Sequence, residues 1–177
     1  MIPNDGHAHP VLLFDGICNL CNWAVEFTIA RDAGGYIRFA SLQSKTAWQL
    51  LSRYALATEK GVAADFAARF GAGLSAESTD DASSNTLRSV VLIERGEIYT
   101  ESTAILRLLR YLRMPWPVLS ALQVIPRPLR DAMYRFIAKQ RYHWFGKRAA
   151  CKVPSADVAI RFLDREETSG TGTKWKG

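Results

Sequence analysis

At 177 residues the chain can form one domain whose core needs no disulfide or metal staples. A hydrophobic share of 48 % beside 23 % charged residues excludes a disordered or fibrous chain, and an odd count of three cysteines suits no disulfide framework. The net charge of +6 is local: residues 127–152 carry eight basic side chains against Asp131 alone, and the remainder sums to −1. That distribution excludes the general polyanion affinity of a uniformly basic protein and points to a feature of one segment.

Residues 1–10 read as a flexible leader with neither the basic nor the apolar region of a secretory signal, His7 and His9 included. No apolar run approaches the ~20 residues that span a bilayer. The expected location is therefore the cytoplasm, where thiols stay reduced and stable membrane insertion is not expected.

Val11-Leu12-Leu13-Phe14 is a short apolar strand that runs into the turn pair Asp15-Gly16. Cys18-Asn19-Leu20-Cys21 follows, and a helix continues to about Asp32, with Trp23, Phe27 and Ala30 at helical spacing and Gly34-Gly35 as its stop. Tyr36–Ala40 alternates as a strand, so strand, helix and strand form a right-handed crossover with parallel pairing. Ser44 is a plausible N-cap for a helix carrying Trp48, Leu51, Tyr54 and Ala55.

Residues 58–86 are small and polar and read as an exposed insertion, with a short helix over Val62–Phe70. Ser89–Glu94 and Glu97–Thr100 are strands joined by Arg95-Gly96, which makes them a hairpin. The next helix begins at Glu101 or Ser102 with Ala104, Ile105, Leu108, Leu109 and Leu112 inward, and Arg107, Arg110 and Arg113 on a solvated face. Residues 116–167 add helices. A long one starts near Pro126-Pro128 and ends near Tyr142, with its aromatics expected to pack on the sheet while its arginines snorkel. A last helix spans Asp157–Glu167, and residues 168–177 form a flexible tail, so the folded unit is 11–167.

The chemistry lies at the first strand–helix junction. Open backbone N–H groups and the positive helix end favour a thiolate on Cys18, and Cys21 stands where it can resolve a mixed disulfide. Two other readings stay open for the pair: half of a Cys3His zinc site with Cys151 and His143, or two inert buried thiols. Asp15 is either a turn and cap residue or a base acting on Cys21. Cys151 is a structural thiol or a third redox thiol made acidic by Lys147, Arg148 and Lys152.

The ordered set Asp15-x-x-Cys18-x-x-Cys21, Arg31-Asp32, Phe39-Ala40-Ser41-Leu42-Gln43-Ser44, Glu101-Ser102-Thr103-Ala104-Ile105, Gln140-Arg141-Tyr142, Phe145-Gly146-Lys147 and Cys151-x-x-Pro154 resembles the DCC family of thiol-disulfide oxidoreductases. The resemblance implies an α/β thioredoxin-like fold and disulfide exchange by Cys18 and Cys21; Asp15 is the third candidate catalytic residue on the reading above. No metal or organic cofactor is implied; the partners are a protein or small-molecule disulfide and an external thiol reductant. The chain departs from thioredoxin-like oxidoreductases where Arg88-Ser89 stand in place of a cis-proline before the third strand. The competing reading is a redox-inactive binding module using the basic, aromatic-rich segment 127–152 against nucleic acid, an anionic membrane or an acidic protein. Nucleic acid is not the expected partner.

Overall fold

Four consecutive apolar residues with no polar alternation belong at the middle of a sheet covered on both faces. In the computed structural model, which describes residues 9–57, 89–146 and 156–164, β1 (Val11–Phe14) takes that place and every residue in it is buried. It pairs in parallel with β2 (Arg38–Ser41) and antiparallel with β3 (Val91–Glu94), which pairs antiparallel with β4 (Glu97–Thr100), giving the order β2-β1-β3-β4. Between β1 and β2 lies α1 (Asn19–Arg31), and after β2 comes α2 (Lys45–Ala57). The hairpin β3–β4 leads into α3 (Glu101–Leu108). A crossover unit, a hairpin and a helix in this order are a thioredoxin-like α/β fold.

The sheet's alternation divides the core. Val11, Leu13, Ala40 and Leu42 face Ala47, Leu50, Leu51 and Tyr54 of α2. Leu12, Phe14, Phe39 and Leu92 face Cys21 and Val25 of α1 with Ala104 and Leu108 of α3. Ser44 caps α2 as expected, its hydroxyl accepting from the Ala47 N–H at 3.1 Å. At the hairpin, Arg95 and Gly96 have φ of 53° and 83°, the two left-handed residues of a tight turn that matches strand twist.

Several sequence expectations are corrected. The buried face of α1 is Cys21, Asn22, Val25 and Thr28, whereas Trp23 and Ala30 are exposed. Trp23 and Phe27 instead join Trp116 in a surface aromatic cluster, with the Arg31 guanidinium 3.7 Å from the Phe27 ring. In α3 Leu106 is buried and Ile105 exposed. Arg107 is not merely solvated: it pairs with Glu94 at 2.7 Å and lies over the Tyr99 ring. The last helix is only Ala156–Ala159 (α5), after which the chain extends along the edge of β2. There Phe39 exchanges backbone hydrogen bonds with Arg161 and Leu163, both 2.9 Å, so the exposed edge is covered. Arg161 also ties the Asp32 carboxylate to the Ile37 carbonyl, fixing the end of α1 to the start of β2.

The helix α4 (Arg127–Phe145), preceded by a 3-10 stretch over Trp116–Val124, runs past the end of β1 and the start of β3 and packs against α1 and α3. Its inward side chains are polar. Tyr134 accepts from the Val90 N–H at 2.9 Å, Asp131 accepts from the Ser102 hydroxyl, and Arg141 and Tyr142 reach Asp15. Tyr134 and Tyr142 pack inward as expected, but Met133, Phe136, Ile137, Trp144 and Phe145 are exposed, so the apolar stripe points away from the sheet. Buried backbone and carboxylate groups along this path need polar partners, and this requirement outweighs burial of the stripe. The expected insertion at 58–86, the Val62–Phe70 helix and Cys151 lie outside the described residues.

Candidate active site

β1 ends at Phe14, and the chain must turn out of the sheet before α1 can pack on it. Asp15 makes that turn: its Oδ1 accepts from the Ile17 N–H at 3.2 Å, and its carbonyl accepts from the Cys18 N–H at 3.3 Å. Cys18, with extended backbone, is the N-cap residue of α1, so the first thiol lies at the helix entrance and Cys21 one turn inside. Asn22 fastens this junction by donating to the carbonyls of Gly16 at 2.8 Å and Cys18 at 3.0 Å.

Cys18 and Cys21 are free thiols in mutual contact. The Cys21 S–H donates to the Cys18 sulfur, and this bond draws the Cys18 thiol from the ordinary 9.0 down to about 6. Burial opposes the shift, while the Cys21 N–H and the Arg141 charge add to it. The same sulfur–sulfur hydrogen bond, reinforced by burial, pushes the Cys21 thiol up. Two thiols of the same type are thereby set apart, the outer acidic and the inner reluctant to ionise.

Both sulfurs are covered, contrary to the exposed helix start that the sequence led one to expect. Cys18 is 0 % exposed and Cys21 8 %. The last turn of α4 lies across the entrance to α1, where Asn19 donates to the Phe145 carbonyl at 2.8 Å and Tyr142 packs against the cluster containing both thiols.

Asp15 stands at the centre of a buried network. Its Oδ2 accepts from Arg141 Nη2 at 2.7 Å and from the Tyr142 hydroxyl; its Oδ1 accepts from Gln43 Nε2 at 3.0 Å. The Arg141 and Asp15 side chains are 3 % and 2 % exposed. Burial and the hydrogen bond to Asp15 raise Tyr142 to about 12, so it remains a neutral donor. The group that reaches Cys21 is Arg141, whose Nη1 lies 3.6 Å from the sulfur. One guanidinium thus bridges a carboxylate and the inner thiol.

Sequence reasoning placed Cys18, Cys21 and Asp15, and the fold brings all three together. It missed Arg141, Tyr142 and Gln43 as parts of the site. Arg141 had been grouped with the exposed cations of segment 127–152, and its burial removes it from any phosphate-binding surface. Gln43 carried a usable signal, since residues just past the carboxyl end of a parallel strand beside β1 face the same crevice. His143 is exposed on α4, and Cys151 lies outside the described residues. Among the described residues no three His, Cys, Asp or Glu side chains converge to hold a metal.

A β2-β1-β3-β4 sheet with two free thiols at the entrance of its crossover helix is a thioredoxin-like α/β arrangement. Comparison with known proteins agrees: the chain matches the DCC1-like thiol-disulfide oxidoreductase family over residues 12–69 and 66–147 and belongs to that family. It is 42 % identical over 153 residues to the uncharacterized protein YuxK of Bacillus subtilis, covering 86 % of this chain and 93 % of the relative. It is 35 % identical over 145 residues to the chloroplastic DCC family protein At1g52590 of Arabidopsis thaliana, covering 81 % and 69 %. No solved structure matches.

Proposed function

We propose that the protein is a cytoplasmic disulfide reductase that cycles between the Cys18/Cys21 dithiol and a Cys18–Cys21 disulfide. The observation that carries this is the pair of free thiols at the entrance of α1, with the Arg141 guanidinium 3.6 Å from the inner sulfur. The Cys18 thiolate attacks one sulfur of a substrate disulfide; the S–S bond breaks and the departing thiolate takes up a proton. Cys18 in the mixed disulfide is no longer an anion to which Cys21 can donate, so Cys21 loses the bond that held its proton. Arg141 then favours the Cys21 thiolate, which attacks Cys18 and expels the second substrate thiol. An external thiol reductant restores the dithiol. Asp15 acts in the second step by holding Arg141 at the sulfur, and the last turn of α4 shifts to admit the substrate.

Two measurements on the reduced protein test the proposal. Because the folded Cys18 thiol is drawn to about 6, its thiolate fraction rises through that pH and is nearly complete at 7. Alkylation at Cys18, mapped by peptide mass, should follow a single titration with a midpoint near this value. With excess oxidised glutathione, Cys18 and Cys21 should lose their thiols together and appear as one intramolecular disulfide. A midpoint at the ordinary thiol value, with both cysteines still reduced after equilibration, would remove the proposal.

A further inference from the structure

The packing of α4 leaves a surface that disulfide exchange does not explain. Leu129, Met133, Phe136, Ile137 and Trp144 follow one another at helical spacing, and Phe136 and Trp144 touch edge to face with centroids 6.0 Å apart. Leu129 is 66 % exposed and Met133 65 %. The stripe continues into the preceding 3-10 stretch and its end, where Val118 and Leu122 are also exposed and Val124 is 89 % exposed. An apolar surface of this extent marks an interaction site.

The charge around the stripe identifies the partner. Arg135 and Lys139 are exposed on α4 beside the stripe. The helix's one acid, Asp131, accepts from the Ser102 hydroxyl and lies 4.0 Å from Arg127 across one turn, so it is already engaged. A second copy of the chain would bring the same cations face to face with no carboxylate on α4 to meet them. The helix also offers no groove: its exposed positions, from Arg135 through Lys139 and Phe136 to Ile137, cover more than half of its circumference, so the apolar side chains project. A projecting helix with aromatic and aliphatic residues beside lysine and arginine is built to lie in a headgroup layer. No described helix is long and apolar enough to cross a membrane, so the contact is peripheral.

We propose that α4 and the 3-10 stretch before it seat the protein on an anionic lipid bilayer, the apolar stripe among the headgroups and acyl ends and Arg135 and Lys139 against lipid phosphates. This docking is independent of the redox state of Cys18 and Cys21.

Co-sedimentation with vesicles of phosphatidylcholine alone and of phosphatidylcholine with phosphatidylglycerol tests the proposal on the full chain. Binding to the anionic vesicles should exceed that to neutral ones by about tenfold or more and fall as salt rises from about 0.1 M to about 1 M. The double variants Met133→Gln with Phe136→Gln, and Arg135→Gln with Lys139→Gln, change exposed side chains. Each should keep the wild-type thermal melt and lose about tenfold in vesicle binding. Cys18→Ser should bind as wild type. Three outcomes overturn the proposal: no binding to anionic vesicles at low salt; unchanged binding in the Met133/Phe136 variant; or a concentration-dependent dimer that this variant dissolves while the wild type ignores vesicles.

Discussion

Cys18→Ser is expected to abolish turnover of a disulfide substrate, lowering the rate by on the order of 10³-fold or more, as loss of a covalent nucleophile does. A serine hydroxyl is not ionised at neutral pH and cannot displace a thiolate. Cys21→Ser should behave differently. Its Cys18 still attacks, so one equivalent of substrate becomes attached through a mixed disulfide that no neighbouring thiol releases. A third variant tests the acidity of Cys18. Cys21→Ala, which leaves no side-chain donor at that position, removes the largest contribution to the low Cys18 pKa, and its alkylation profile should move toward the ordinary thiol range. Rapid mixing, acid quench and mass spectrometry separate these cases. Equal turnover in wild type and both variants, or no trapped adduct in Cys21→Ser, would mean that the dithiol is not the redox couple.

Arg141→Met is expected to have the largest effect on stability. The substitution leaves the Asp15 carboxylate 2 % exposed with only Tyr142, Gln43 and one backbone N–H to satisfy it. Breaking one side of a buried ion pair costs about 3–5 kcal/mol because the remaining charge stays desolvated. At about 2–4 °C per kcal/mol for a chain of this size, the melting temperature should fall on the order of 10 °C. Adding Asp15→Asn removes the stranded charge, so the double variant should recover much of the loss and give a positive coupling energy. Kinetics separate the proposed role from simple support. At a temperature where the variant is folded, its mixed disulfide should persist about tenfold longer than that of the wild type, since a pKa difference of one unit in Cys21 changes its thiolate fraction tenfold. A melt within about 0.5 kcal/mol of wild type, together with normal resolution, would show that the guanidinium neither offsets the Asp15 charge nor acts on Cys21.

The two predictions concern opposite ends of the sequence, and that separation explains what each level of description revealed. Val11–Phe14, the Asp15-Gly16 turn and the C-x-x-C are contiguous, so local rules sufficed to place two thiols and a carboxylate at a strand–helix junction. Arg95-Gly96 in the same way specified its hairpin, because two adjacent left-handed residues admit only a narrow set of turns. Parallel β1 and β2 followed from the helix between them. Composition and charge located the basic segment.

What local rules could not supply is which partner a side chain meets across the fold. Arg141 lies 126 positions from Asp15, and nothing in the spacing of α4 distinguishes it from the exposed Arg135 and Lys139 on the same helix. Periodicity establishes that a helix has two unlike faces; it does not say which one the rest of the fold will accept. Here the fold presents the Val90 N–H, the Ser102 hydroxyl and a buried carboxylate, so the polar face turned inward and the apolar one was left outside. The same docking covered Cys18, which its position at a helix entrance alone would have left open. The sequence by itself determined the thiol pair, its place at the head of α1 and the family. The tertiary structure decided the charge that faces the inner thiol, the cover over the outer one and the surface that α4 offers, because each depends on long-range satisfaction of buried polar groups.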